Sequence, residues 1–438
     1  VPVEDRPQRA DLHAAHVAGA LVTGSGNNIA ASDASAGAAV TPRVIGRIEV
    51  SYTDGSSDET VTDRDWRAAS GALVTDAWYS GEDYDARREQ VGWNQPGANL
   101  GDGAVRRDGT AMNWTSAGIA PAPNLATKLV ARAGEGIHEA ERFVPKTITN
   151  PAPGVWVFDF GQNFAGWPEL NLPQLPAGTV VKVKPAESLN ADGTVNQSSL
   201  GPGGRGRDLF NSYITAGLAG GEKYNPKFNY FGMQWVQIEG LPAGFTPTAD
   251  IVSGVRLQAG TPVVGSFDSS NARINRINKM AHYSMATQIM STFTDCPGRE
   301  KQSYPADYTM PMEGFHSLFE FDAYMQTTAH HLVEGQSMAD TPMFGNVALK
   351  TPVHDWGYTG QFGDEINWGN GIILVPAFLY EYYGDTETMT RYYNQMVDFV
   401  EYIQRQKVGT GADANIVNAA LADWVAAEQT SGRITGTW

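Results

Sequence analysis

The spacing of apolar residues changes once along this chain, and that change constrains the fold more than any other feature. Up to about Pro262, runs such as RVIGRIEVSYTDG, GTVVKVKPAE and FGMQWVQIEG alternate apolar with polar residues and are broken by Gly, Pro, Asp and Asn. Alternation at a period of two marks strands with one buried face. After GSFDSSN the period becomes three to four, in INRINKMAHYSMATQIM, MEGFHSLFEFDAYMQTTAHHLVEG, GIILVPAFLYEYYG and MTRYYNQMVDFVEYIQRQ. Such spacing gives each helix one apolar stripe. The chain reads as multidomain β plus α: β-sandwiches, then a helical part. Its 438 residues exceed what one core usually fills.

A Gly-, Pro- and Ala-rich passage around Asn94 to Leu125 divides the β part, which gives expected domains at 1–110, 111–262 and 263–438. Ser270 or Asn271 is placed to cap the first helix, Gly384 to end the third, and Asp385 or Thr386 to cap the fourth. About five helices fit between Asn271 and the end, separated by long polar and aromatic loops. Loops of that length in a compact domain are usually functional.

Composition narrows the partners. With 31 Lys plus Arg against 48 Asp plus Glu, a net charge of −17 and no basic stripe, the chain is a poor partner for nucleic acid or an anionic membrane, and a polyanionic substrate is disfavoured. No apolar run reaches the roughly 18 residues of a helical membrane span. The start, VPVEDRPQRADLHAAHV, lacks the apolar stretch of a signal peptide. A leader removed on export would leave no trace there, and secretion is favoured over a cytoplasmic location. The single cysteine, Cys296, permits neither an intrachain disulfide nor a Cys-based zinc site. No cofactor or metal is expected, with calcium on loop oxygens left open because it would leave only a faint trace.

Two loops concentrate chemistry. TDCPGREKQSYPADY carries Asp295, Arg299, Glu300, Lys301 and Asp307, with Tyr304 and Tyr308 beside them. These charges could form a network of ion pairs that closes a loop end. They could equally form a carbohydrate site, in which a carboxyl group keeps its proton through neighbouring carboxylates and partial burial. The second loop adds His354, Asp355, Trp356, Tyr358, Asp364, Glu365 and Trp368. Rings beside carboxylates suit a pyranose, which stacks its C–H face and donates its hydroxyls; Trp356 and Trp368 could also be core residues at helix starts. His330 and His331 lie on an apolar helix and read as structural, since adjacent helical residues face different ways.

Several ordered segments resemble the α-L-rhamnosidases of glycoside hydrolase family 78. DWRAASGALVTDAWYSGEDYDARREQVGW is similar to that family's N-terminal sandwich, and GVWVFDFGQNFAGWPEL, AESLNADGTV and FNYFGMQWVQIEGLP to its second. TDCPGRE matches the start of the family's D-C-P-x-R-D-E-R-x-G-W signature, and NWGNGIILVPAFLYEYYGD and LADWVAAEQTSG resemble later helical segments. The resemblance runs from about Asp65 onward. It implies β-sandwiches followed by an (α/α)6 barrel with a central pocket. A barrel of about twelve helices needs well over about 200 residues, so the helical domain is expected to be incomplete here, with a further C-terminal part or a partner chain closing the pocket.

Carried over by position, the resemblance makes Asp295 and Arg299 sugar-binding residues. Where the signature has D-E-R, this chain has Glu300, Lys301 and Gln302, so the family's acid position holds Lys301, and Asp307 is the echo of a later acid. The expected activity is release of terminal α-L-rhamnose from a glycan by inverting hydrolysis, with Glu300 as general acid. Asp295, Arg299, Asp307, His354, Asp355, Trp356, Tyr358, Asp364, Glu365 and Trp368 would form the pocket. Inversion needs two carboxyl groups about 6.5–9.5 Å apart, and the second is expected beyond Trp438. A related activity, removal of rhamnose from glucuronate by β-elimination, would instead use Arg299 and Lys301 as cations and Tyr304, Tyr308 or Tyr358 as base. That base would need a strongly lowered pKa. A rhamnose-binding protein without catalysis is the third reading.

Overall fold

The computed structural model describes residues 12–22, 43–119, 134, 136–201, 209–337, 341–352, 366–406, 408–414 and 416–417. The switch of period is also the switch of architecture. Three antiparallel strands, β1 (Leu12–Val22), β2 (Arg43–Tyr52) and β3 (Ser57–Val61), form one small sheet, β4 (Arg67–Ala68) pairs with β7 (Thr115–Ser116), and β12 (Ser188–Leu189) pairs with β13 (Val195–Asn196). The large sheet has ten strands. Its path runs through β5 (Leu73–Ala77), β6 (Gly81–Asp85), β14 (Asn211–Ile214), β11 (Val180–Ala186), β16 (Phe231–Glu239), β10 (Val155–Leu172), β17 (Val252–Ala259) and β8 (Ile137–Phe143). β9 (Thr147–Ala152) and β15 (Glu222–Tyr224) pair with the long β10. Strands from both sides of residue 110 share this sheet, joined by its one parallel pair, β6 with β14.

Phe158, Phe160, Phe164, Val181, Val183, Val236 and Ile238 supply the sheet's core, the inward set that alternation dictates. Gly166 allows β10 to approach β17 closely, because a Cβ there would lie 1.8 Å from the Val255 carbonyl oxygen.

The helices are α1 (Ala272–Ala286), α2 (Pro305–Thr309), α3 (Met312–Leu318), α4 (Asp322–Glu334), α5 (Ile366–Gly369), α6 (Gly371–Tyr383), α7 (Thr386–Arg391) and α8 (Tyr393–Gln406). Three expected termini are present. The Asn271 side chain accepts from the Arg273 N–H, Gly384 ends α6 at φ 68°, and Asp385 accepts from the Thr388 N–H. One expected helix is broken in two. Between α3 and α4, Phe319 leaves helical geometry, the Leu318 carbonyl accepts from the Val264 and Gly265 N–H groups, and Phe319 and Phe321 enter the core. That core gathers Phe293, Tyr308, Phe315, Tyr324, Leu332, Val375 and Phe399, and reaches Ala259 at the end of β17. The helices are therefore packed directly onto the sheet. Among the described residues no helix is long and apolar enough to cross a membrane.

Candidate active site

The loop from Thr294 to Tyr304 is shaped by close contacts with the sheet. Pro297 lies against Gly232, whose N–H donates to the Pro297 carbonyl at 3.1 Å. A Cβ at Gly232 would sit 2.7 Å from Pro297 Cγ and 2.5 Å from a Glu187 carboxylate oxygen; one at Gly298 would sit 2.4 Å from Leu200 Cδ2. The contact with the rigid Pro297 ring makes glycine at 232 the closer fit between loop and sheet. Gly232→Ala should displace the loop and cost about 1–3 kcal/mol of stability, measured by denaturant unfolding; an unchanged midpoint would contradict the close fit.

Two side chains hold the loop's centre. The Tyr79 hydroxyl, from the turn between β5 and β6, donates to the Glu300 carbonyl at 2.7 Å. Gln302 Nε2 donates to the same carbonyl at 3.1 Å and to the Tyr79 hydroxyl oxygen at 2.8 Å. Lys301 has φ 53° and is only 5% exposed. Its ammonium donates to the carbonyls of Trp78 at 2.9 Å and Tyr230 at 2.5 Å. The rings of Phe231, Tyr230, Trp78 and Tyr79 lie 4.4, 4.6, 5.0 and 5.9 Å from it. Desolvated cation–π contacts contribute about 2 kcal/mol or more, which helps offset burial of the charge.

The acids face elsewhere. Asp295 accepts from the Gln302 N–H at 2.8 Å, and burial followed by the nearby Glu300 charge raises its pKa against that bond. Glu300 accepts from the Tyr304 hydroxyl at 2.7 Å and pairs with Arg299 at 2.9 Å. The Arg299 side chain is 64% exposed, so the pair contributes little to stability and leaves the guanidinium facing solvent. Asp307, in the first turn of α2, keeps solvent access. Surrounding protein, then the charges of Asp295 and Glu300, push its pKa up to about 6, opposed in part by a hydrogen bond from the Trp368 side chain. Trp368 packs with Leu349, Tyr304 and Ala306. The charges of Asp295 and Glu300 thus reach Asp307 beside an aromatic wall, an arrangement able to bind hydroxyls and to carry a proton on Asp307 near neutral pH.

Asp295, Arg299, Glu300, Tyr304, Asp307 and Trp368 are brought together; Lys301 and Tyr308 are turned away. Lys301 points into the sheet, so as a cation for a uronate it is already committed. Tyr308 is fully buried, stacked on Phe293 with centroids 4.7 Å apart, its hydroxyl 3.3 Å from Thr351 Oγ1. Burial drives its pKa well above the usual tyrosine range. That is the opposite of what a tyrosine base requires. His354, Asp355, Trp356, Tyr358, Asp364 and Glu365 lie outside the described residues. His330 contacts the Tyr392 hydroxyl and Glu334, a packing role on α4. Among the described residues no group of three His, Cys, Asp or Glu is arranged to hold a metal ion. Sequence reasoning passed over Trp78, Tyr79 and Tyr230. The only signal was the aromatic pairs WY, just after β5, and YF, at the start of β16.

The structure thus sets an acidic, aromatic-lined loop where the β-sheet meets the helical part. Comparisons agree in every segment. The α-L-rhamnosidase N-terminal domain matches residues 17–141, the bacterial α-L-rhamnosidase concanavalin-like domain 149–258, and the bacterial α-L-rhamnosidase six-hairpin glycosidase domain 262–437. The chain belongs to the bacterial α-L-rhamnosidase family. An α-L-rhamnosidase of Streptomyces avermitilis is 28% identical over 395 residues, 88% of this chain and 34% of its own length; one of Formosa agariphila is 26% identical over 388, 87% and 38%. The α-L-rhamnosidase structure from Dictyoglumus thermophilum superposes with a TM-score of 0.75 at 27% identity, over 87% of this chain and 39% of that one. The chain spans about a third of the length of the curated relatives it matches.

Proposed function

We propose that the protein carrying these residues releases terminal α-L-rhamnose from a glycan by inverting hydrolysis, with Glu300 as general acid. The observation that carries this reading is the grouping of Asp295, Glu300 and Asp307, with Glu300 bonded to Tyr304 and Arg299 and Tyr304 packed on Trp368. In this arrangement Asp295, Asp307 and the exposed Arg299 bind sugar hydroxyls, Trp368 and Tyr304 border the ring, and Glu300 protonates the leaving oxygen. Secretion and a glycan partner follow from that substrate. Ile274, Ile277 and Met280 form an exposed apolar stripe on α1, and Tyr393, Val397 and Val400 another on α8. Both stripes support an (α/α)6 barrel in which further helices cover these faces and bring the water-activating carboxylate.

The geometry speaks against elimination that uses Lys301 as cation or Tyr308 as base. Tyr308→Phe should leave turnover within about threefold of wild type and cost about 1 kcal/mol, the usual net worth of one hydrogen bond. A hundredfold loss of activity would instead restore the tyrosine to the chemistry. The direct test of function is to incubate the protein with a rhamnose-capped glucuronate oligosaccharide and follow free rhamnose together with ultraviolet absorbance of an unsaturated uronate. Rhamnose without absorbance supports hydrolysis, rising absorbance supports elimination, and binding without product supports neither.

A further inference from the structure

Glu300 and Lys301 are consecutive, yet their side chains leave the loop toward different partners: Glu300 toward Arg299 and Tyr304, Lys301 toward the carbonyls of Trp78 and Tyr230. The positive φ of Lys301 permits that divergence. A non-glycine residue there is strained, and such strain persists only where the surroundings over-determine it. Here the surroundings are specific. Two carbonyls receive the ammonium, four rings enclose it, and the adjoining Glu300 carbonyl is held by Tyr79 and Gln302. The carbonyls and rings that receive the Lys301 ammonium belong to the turn between β5 and β6, to the start of β16 and to the residue before it.

We propose that Lys301 is a positioning residue: docked in the sheet, its ammonium fixes the peptide that carries Glu300 and so aims the Glu300 carboxyl at the leaving oxygen. The inference rests on the reading of Glu300 as acid. Lys301 does not touch substrate, and neither Asp295 nor Asp307 owes its shifted pKa to it. The sheet is thereby part of the catalytic apparatus and not merely a support beside it.

An acid that is present but misaimed is needed most where the leaving group is poor. Lys301→Met keeps the apolar stem in its aromatic cage and removes the ammonium. On an alkyl α-L-rhamnoside its kcat should fall about tenfold, a fraction of the 10²–10⁴ that general acids supply, with KM nearly unchanged. On a dinitrophenyl α-L-rhamnoside, whose leaving group needs no proton, the fall should be less than about threefold. A purely structural role would lower both substrates in proportion, and that result would overturn the proposal. Tyr79→Phe, which removes the bond to the Glu300 carbonyl and the one accepted from Gln302 Nε2, should show the same split more weakly, and decides the matter if Lys301→Met does not fold; no split in Tyr79→Phe would then count against it. Hydrogen exchange separates this inference from the functional reading. If the wild-type protein turns over no rhamnoside, the reading of function fails. Faster exchange in Lys301→Met confined to 295–304 would still support the latch, and unchanged exchange would defeat it.

Discussion

Glu300→Gln should lower kcat on an alkyl α-L-rhamnoside by about 10²–10⁴, the range general acid catalysis usually supplies. The amide keeps the size of the carboxyl and can still accept from the Tyr304 hydroxyl, so folding and KM should change little. It cannot give up a proton to a leaving alkoxide. On a dinitrophenyl rhamnoside the same variant should retain most of its activity, because a stable phenolate departs unaided. Exogenous azide or formate offers no rescue of the poor substrate in an inverting enzyme that lacks only its acid, whereas the good substrate needs none. Equal loss on both substrates would place Glu300 in binding, and full activity on both would remove it from the mechanism. The mutation should also act at a distance of seven residues in sequence. The Glu300 charge is one cause of the raised Asp307 pKa, so removing it should bring Asp307 down.

How far the site was legible can be argued from its residues. The period switch near Pro262 and the caps Asn271, Gly384 and Asp385 were readable because each depends on local chemistry that any helix or strand repeats. The break at Phe319 was not. Its cause is a tertiary contact, the bonding of the Leu318 carbonyl to the chain that leaves β17, and the aromatic residues around it keep helical spacing throughout. Likewise α2 was hidden inside a passage read as loop, although Pro305 at its first position is a start signal. In the charged loop, residue types announced the acids Asp295, Glu300 and Asp307, but no spacing rule states which way a side chain leaves an irregular turn. Lys301 therefore read as a catalytic substitution at the acid's position, while its left-handed backbone sends it into the sheet and leaves Glu300 to face the other acids. Tyr308 reads as a candidate base because Arg299 and Lys301 lie close to it in sequence. Its burial depends on Phe293 and Thr351, one before the loop and one far beyond it.

Asp307→Asn should lower kcat/KM about 10- to 100-fold, the loss expected when a hydrogen bond to a charged acceptor worth about 1.5–3 kcal/mol is removed, and it should alter the pH profile in a diagnostic direction. With its pKa pushed up to about 6, Asp307 is ionised above that pH and protonated below it. If it accepts sugar hydroxyls as a carboxylate, wild-type kcat/KM must fall as pH drops through about 6, and the fall must disappear in Asp307→Asn. If it were instead the general acid, activity would fall as pH rises through the same value. The side on which the limb lies thus separates the two carboxyl roles without a ligand structure. Stability gives an independent reading. A carboxyl group whose pKa is raised from 3.8 to about 6 by folding binds its proton more tightly in the folded state. Its stabilising contribution is full below 3.8 and is lost as pH rises to about 6. Urea unfolding across that window should show the wild type losing stability relative to Asp307→Asn as pH increases, with a constant difference above it. A flat difference would mean that Asp307 titrates normally, and the acid-side limb would then have to belong to Asp295, whose pKa burial also raises.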